Sequence, residues 1–105
     1  MIKIQVTYKN NQFESLAAKG HAEFAPEGKD IVCAAVSAII EGGVQSLTDG
    51  DGAYRLRINK GDLELTRLAP KMSEHDEIVL ETILVQLESV ACVSNDYVQL
   101  ERKQK

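Results

Sequence analysis

The sequence predicts a two-layer α/β sandwich in the order β-β-α-β-β-α-β, with two helices packed on a mainly antiparallel sheet. Three observations predict it. Five short segments (2–8, 13–18, 53–59, 63–68 and 97–100) read as strands, two longer ones (31–47 and 73–93) repeat their apolar residues at helical spacing, and turn residues separate them. The 105 residues, 44% apolar, fit one domain over 1–105. A chain of this size buries roughly 60–70% of its unfolded surface and needs no disulfide or metal staple.

Ile2, Ile4, Val6 and Tyr8 alternate with Lys3, Gln5 and Thr7, so the chain opens on a strand with one buried face. Lys9 to Gln12 read as a turn. Phe13 to Ala18 return as a second strand whose inward face is weakened by Ser15 and Ala17, and Lys19-Gly20 ends it. Glu23 to Lys29, with Pro26 and Gly28 and no apolar period, reads as a surface loop. Either it anchors on the domain through Phe24, or it closes as a lid over the groove between His21 and Cys33.

Asp30 is a good N-cap for a strongly apolar, largely buried helix that runs to about Leu47. Gly42-Gly43 costs that helix about 0.8–1 kcal/mol per glycine relative to alanine. Close approach of another element or of a second copy of the chain explains the pair, and so does a frayed or kinked end. Thr48 to Gly52 is a connection, too glycine-broken for an EF-hand loop.

The next two strands place Leu56, Ile58, Leu63 and Leu65 at alternating positions around a hairpin turn at Asn59-Lys60-Gly61-Asp62. Arg55, Arg57, Glu64 and Arg67 take the other face, read as solvated, with a substrate-binding face as the alternative. Ser73 and Asp76 open the second helix in a capping-box pattern, with His75 exposed in its first turn and Cys92 a small core hydrophobe near its other end. A short strand, Tyr97 to Leu100, precedes a solvated tail containing Arg102, Lys103 and Lys105.

The formal net charge of −4 argues against a nucleic-acid surface, which needs a clustered basic field. No run is long and apolar enough to span a membrane, and no export leader is recognisable, so the expected setting is the cytoplasm with both cysteines reduced. The two cysteines form no C-x-x-C pair.

One stretch concentrates the reactive side chains. His21 and Cys33 lie twelve residues apart on either side of the loop. With Asp30 as cap, Cys33 falls in the first helical turn, where free N–H groups and the helix dipole favour thiolate while the Asp30 charge opposes it. A histidine in reach would act as base for the thiol and then as acid for a leaving amine, and the N–H groups of Cys33 and its neighbours would serve as an oxyanion hole. Ser37, one turn on, either lines the site or bonds back to its own helix.

The string G-H-A at 20–22, followed after seven residues by D-I-V-C-A-A-V-S at 30–37, closely resembles the signature of the bacterial ribosomal-processing cysteine protease family, Prp. The order of elements and the length are similar too. The resemblance implies that His21 and Cys33 are the catalytic dyad and that Gly20, Asp30, Ala34 and Ser37 line the site, without cofactor or metal. It implies removal of the N-terminal extension of a precursor large-subunit ribosomal protein, and a homodimer. An acidic chain suits such a basic substrate. The alternative is a non-enzymatic, ribosome-associated binding module. Two ligands are too few for zinc at His21 and Cys33, and a redox pairing of Cys33 with Cys92 would require rapid disulfide formation.

Overall fold

The structure, a computed structural model, describes residues 1–22, 24–26 and 30–105. A hairpin of β1 (Ile2–Lys9) and β2 (Gln12–Lys19) is followed by α1 (Ile31–Val44). A second hairpin, β3 (Tyr54–Asn59) and β4 (Asp62–Arg67), leads to α2 (Glu74–Val93) and β5 (Val98–Gln104). The strands lie in the order β3-β4-β2-β1-β5, with β1 and β5 parallel and every other neighbouring pair antiparallel. The expected fold class and element order are both observed.

A bulge explains why the inward face of β2 is stronger than its sequence indicates. Thr7 pairs with Ser15 and Tyr8 with Phe13, so Glu14 is the extra residue. An extra residue reverses the alternation. Phe13, Leu16 and Ala18 therefore all face the core, and Ser15 and Ala17 do not weaken it. The two-residue turn at Asn10-Asn11 has both residues at positive φ, as the twist of a tight hairpin requires.

The core joins Val6, Leu16 and Leu65 of the sheet to Val36 and Ile40 of α1 and to Leu80, Ile83, Leu84 and Leu87 of α2. Complete burial of each such side chain stabilises the fold by about 1.5–3 kcal/mol. The helices do not cover the whole sheet. Leu56 and Ile58 pair with Leu65 and Leu63 on the core-side row, yet they are 42% and 49% exposed, because the β3–β4 hairpin projects past the helical layer. The expectation of a buried apolar face on β3 is corrected accordingly.

Helix α1 is also less buried than its composition indicates. Only Val32, Val36 and Ile40 are buried, while Ile31, Ala34, Ser37 and Ala38 are exposed. It ends at Val44 rather than Leu47, since Ser46 and Leu47 donate their amides three residues back, to Gly43 and Val44, in a tightened turn. Gly43 is required by close approach. A Cβ there would run into the Ile83 side chain, whereas one at Gly42 meets nothing within 4 Å. Gly43→Ala therefore lowers stability by about 1–2 kcal/mol, a core overpacking cost partly offset by helix propensity. Gly42→Ala raises it by up to about 1 kcal/mol. Urea midpoints should shift in opposite directions.

Cys92 is exposed, not a core residue, because the core-facing stripe of α2 runs from Leu87 on to the partly buried Val90 and Ala91, and Cys92 falls off it. The C-terminal segment is not a free tail either. Arg102 and Lys103 belong to β5, Arg102 pairs with Glu88 and the Tyr8 hydroxyl, and the Lys105 amide donates to the Tyr8 carbonyl. A parallel partner in β1 extends β5 beyond the apolar residues that marked it in sequence.

Candidate active site

At the end of β2, Gly20 adopts a φ of +99°, and a Cβ there would collide with the Met1 carbonyl oxygen. The chain thus turns off the sheet next to β1. His21 is exposed at this corner, and Ala22 is buried behind it. The Ala22 amide donates to Cys33 Sγ at 3.3 Å, which ties the histidine segment to the start of α1.

Asp30 is the N-cap, as its sequence context predicts. Its Oδ1 accepts from the Val32 and Cys33 amides at 3.0 Å each, and its Oδ2 accepts from the Phe24 amide at 3.0 Å. The Cys33 amide, foremost among these donors, holds the Asp30 carboxyl below its usual range. This bonding corrects one expectation. The Val32 and Cys33 amides are donated to Asp30 and the Ala34 amide to the Asp30 carbonyl, so in this state they are not free to form an oxyanion hole. A capping carboxylate and an oxyanion hole compete for the same donors.

Cys33 is a half-buried free thiol in the first turn of α1. It opens on a cleft of about 900 Å³ that is also lined by Gly20, His21, Asp30, Ala34 and Ser37. All six residues singled out in the sequence share this cleft. Among the described residues, no hydrogen bond joins the His21 imidazole to Cys33 Sγ; the sulfur accepts from Ala22 instead. Phe24 meets Tyr97 edge to face, with centroids 5.2 Å apart, which accords with an anchoring role. The lid expectation for Glu23 to Lys29 falls largely on Glu23 and 27–29, outside the described residues.

The wall opposite α1 is the overhanging hairpin: Ile58, Asn59, Lys60, Gly61, Asp62 and Leu63. The sequence marked these residues only as a strand pair and its turn. They lie far along the chain from His21 and Cys33, and nothing local signals the contact. Gly61, with a φ of +71°, has the His21 ring directly against it. The signal available in sequence was a turn glycine.

The hairpin's base is held by a second group that the sequence under-read. Asp76 is completely buried. Its carboxylate accepts from the Thr48 and Asp49 amides at 2.9 and 3.0 Å, from the Thr48 hydroxyl at 3.1 Å and from the Tyr54 hydroxyl at 2.9 Å, with His75 Nδ1 at 2.9 Å. Burial pushes this carboxyl up, but hydrogen bonds from His75, Thr48, Tyr54 and Asp49 outweigh it and hold it well below the ordinary range. Burial and the neighbouring Asp76 push the Tyr54 phenol up. The capping box forms only in part: Ser73 Oγ accepts from the Asp76 amide, while the Ser73 amide donates to Asp49.

A larger depression of about 1220 Å³ lies by β1, β5 and the end of α2 and contains Cys92 but neither histidine. Cys33 and Cys92 thus open on different sides, which speaks against their pairing. Among the described residues, no cluster of three or more His, Cys, Asp or Glu is placed to hold a metal ion.

The family model described as cysteine protease Prp matches residues 1–99. The ribosomal processing cysteine protease Prp of Mycoplasma pneumoniae is 32% identical over 107 residues, covering 100% of this chain and 98% of that protein. A crystal structure of the Staphylococcus aureus ribosomal processing protease Prp with a covalently linked product peptide superposes with a TM-score of 0.84 at 28% identity, covering 98% of this chain and 100% of that one. The same Staphylococcus aureus protease with a substrate peptide gives a TM-score of 0.76 at 27% identity, over the same shares of the two chains.

Proposed function

The chain belongs to the cysteine protease Prp family, and from that premise we propose that Cys33 is its nucleophile and His21 its general base and acid. The observation that carries the assignment is their convergence on one cleft, with Cys33 at a helix N-terminus and His21 across from it. The covalently linked peptide in the Staphylococcus aureus relative supports a route through a covalent intermediate.

The steps follow from the chemistry of the two groups. His21 takes the proton of the Cys33 thiol, and the sulfur attacks the carbonyl carbon of the scissile peptide bond. The tetrahedral intermediate collapses as His21 gives that proton to the leaving amine, and a thioester remains on Cys33. Water then attacks the thioester, losing a proton to His21, and the acid product leaves with the thiol restored. Because the ring is not hydrogen-bonded to the sulfur in the resting chain, the first step includes closure of the gap between the two groups. Gly20, Ala34 and Ser37 line the cleft around these groups. Asp30 fixes the helix start by its hydrogen bonds and so fixes the sulfur.

The proposed substrate is the precursor of a large-subunit ribosomal protein, cut to remove its N-terminal extension during ribosome assembly. Two relatives named as ribosomal processing proteases support this, and an acidic chain attracts a basic substrate. A cytoplasmic setting and a homodimer complete the proposal. Among the described residues, no helix is long and apolar enough to cross a membrane.

The test is the intact mass of a precursor ribosomal protein incubated with a Cys92→Ser chain, with and without prior iodoacetamide. Release of one N-terminal fragment by the untreated chain alone is the expected result. An unchanged precursor, with binding demonstrated and Cys33 reduced, would support the binding-module alternative instead.

A further inference from the structure

We propose that Gly61, in the β3–β4 turn, is a positioning residue for His21: its bare α-carbon is the seat on which the imidazole lies. The inference rests on the dyad reading and extends it to a residue forty positions away. A Cβ built on Gly61 would stand 2.6 Å from His21 Nε2, 3.0 Å from Cε1 and 3.3 Å from Cδ2. Three ring atoms, including the nitrogen that any proton transfer through Nε2 would use, thus occupy space that every other residue type would fill.

A second contact holds the backbone beside the ring. The Gly20 amide donates to the Gly61 carbonyl at 2.8 Å, so the turn grips the residue immediately before His21. Ring and backbone are referenced to the same turn. That turn in turn belongs to a hairpin whose base is fixed by the Tyr54 bond to buried Asp76. The hairpin therefore sets where the imidazole stands in the cleft, and Gly61 is its point of contact.

Gly61 has two separable reasons to be glycine. One is its φ of +71°, which L side chains rarely adopt; the other is the ring. Gly52 supplies the comparison, with a φ of +81° and nothing within 4 Å of a Cβ. Asparagine at position 61 supplies the converse, since it tolerates positive φ but carries a Cβ. The atoms met at Gly61 are the far end of a movable side chain, so the ring yields and the fold stays.

The experiment measures kcat and KM on the precursor, and the pH profile of Cys33 alkylation by iodoacetamide, for Gly61→Ala, Gly61→Asn, Gly52→Ala and His21→Ala in a Cys92→Ser background. A ring displaced by about 1 Å loses on the order of tenfold or more in kcat. Both Gly61 variants are expected to show that loss with little change in KM, and an alkylation profile moved toward that of His21→Ala. Gly52→Ala should stay within about twofold of the parent. A Gly61→Asn chain with the parent's kcat and profile, or with a raised kcat, overturns the proposal. So does a Gly52→Ala loss as large as that of Gly61→Ala, which would assign the effect to backbone strain. If His21→Ala itself leaves kcat and profile intact, the dyad reading fails and this proposal with it. If only the Gly61 variants are silent, the dyad stands and the seat is disproved.

Discussion

Cleavage by the Cys33→Ala chain falls to the uncatalysed level, while His21→Ala retains activity about 10²–10⁴-fold below the parent. The difference follows from the two proposed roles. Removing the sulfur removes the atom that forms the thioester, and alanine offers no replacement. Removing the imidazole removes proton transfer, commonly a contribution of 10²–10⁴, but leaves the sulfur in place to attack. KM should change little in either variant if the cleft walls hold the substrate. His21 is exposed, so the thermal midpoint of His21→Ala should stay near the parent's, whereas Cys33→Ala also leaves the Ala22 amide without its acceptor and should melt somewhat lower. Burst kinetics and intact mass on the precursor read both variants. Undiminished cleavage by Cys33→Ala would disprove the assignment of the nucleophile.

Asp76→Ala lowers stability by about 3–5 kcal/mol, the usual consequence of removing one partner from a buried charged network. Five donors, the Thr48 and Asp49 amides, the Thr48 and Tyr54 hydroxyls and His75 Nδ1, lose this acceptor at once. Asp76→Asn keeps the shape but loses the charge, and should cost less. The same carboxylate makes stability pH-dependent. Its folded pKa is depressed below the unfolded value of about 3.9, so its contribution is fully present above that value. It is lost as pH falls toward the folded pKa. Urea unfolding at pH 7 and at pH 3 should show a larger decline for the parent than for Asp76→Asn. Equal declines would show that Asp76 does not account for the acid sensitivity. Because Tyr54 begins β3, loss of this network should also loosen the hairpin wall of the cleft and raise KM in Asp76→Asn.

Much of the site was legible because it is local. A capping aspartate, a cysteine three residues later and a histidine just beyond a strand are neighbours along the chain, and a helix N-terminus brings its own electrostatics wherever it sits. The G-H-A and D-I-V-C-A strings then marked the family, which the family-model match over residues 1–99 shows. The element order was legible for a similar reason: periods of two and of three to four residues are imposed by the backbone itself.

What the sequence by itself determined is this order of strands and helices, the Asp30 cap and the pair of reactive groups. Tertiary structure alone decided the rest. The bulge at Glu14 reversed the faces of β2, because register depends on the partner strand. The overhang of β3–β4 left Leu56 and Ile58 exposed and turned an ordinary hairpin into a cleft wall. Packing against Ile83 required Gly43, and packing against the His21 ring makes Gly61 part of the site. Asp76 became a buried anchor rather than a plain capping residue. In each case the deciding atom belongs to a residue distant in sequence, and a pattern read along one chain contains no information about which distant side chain arrives there.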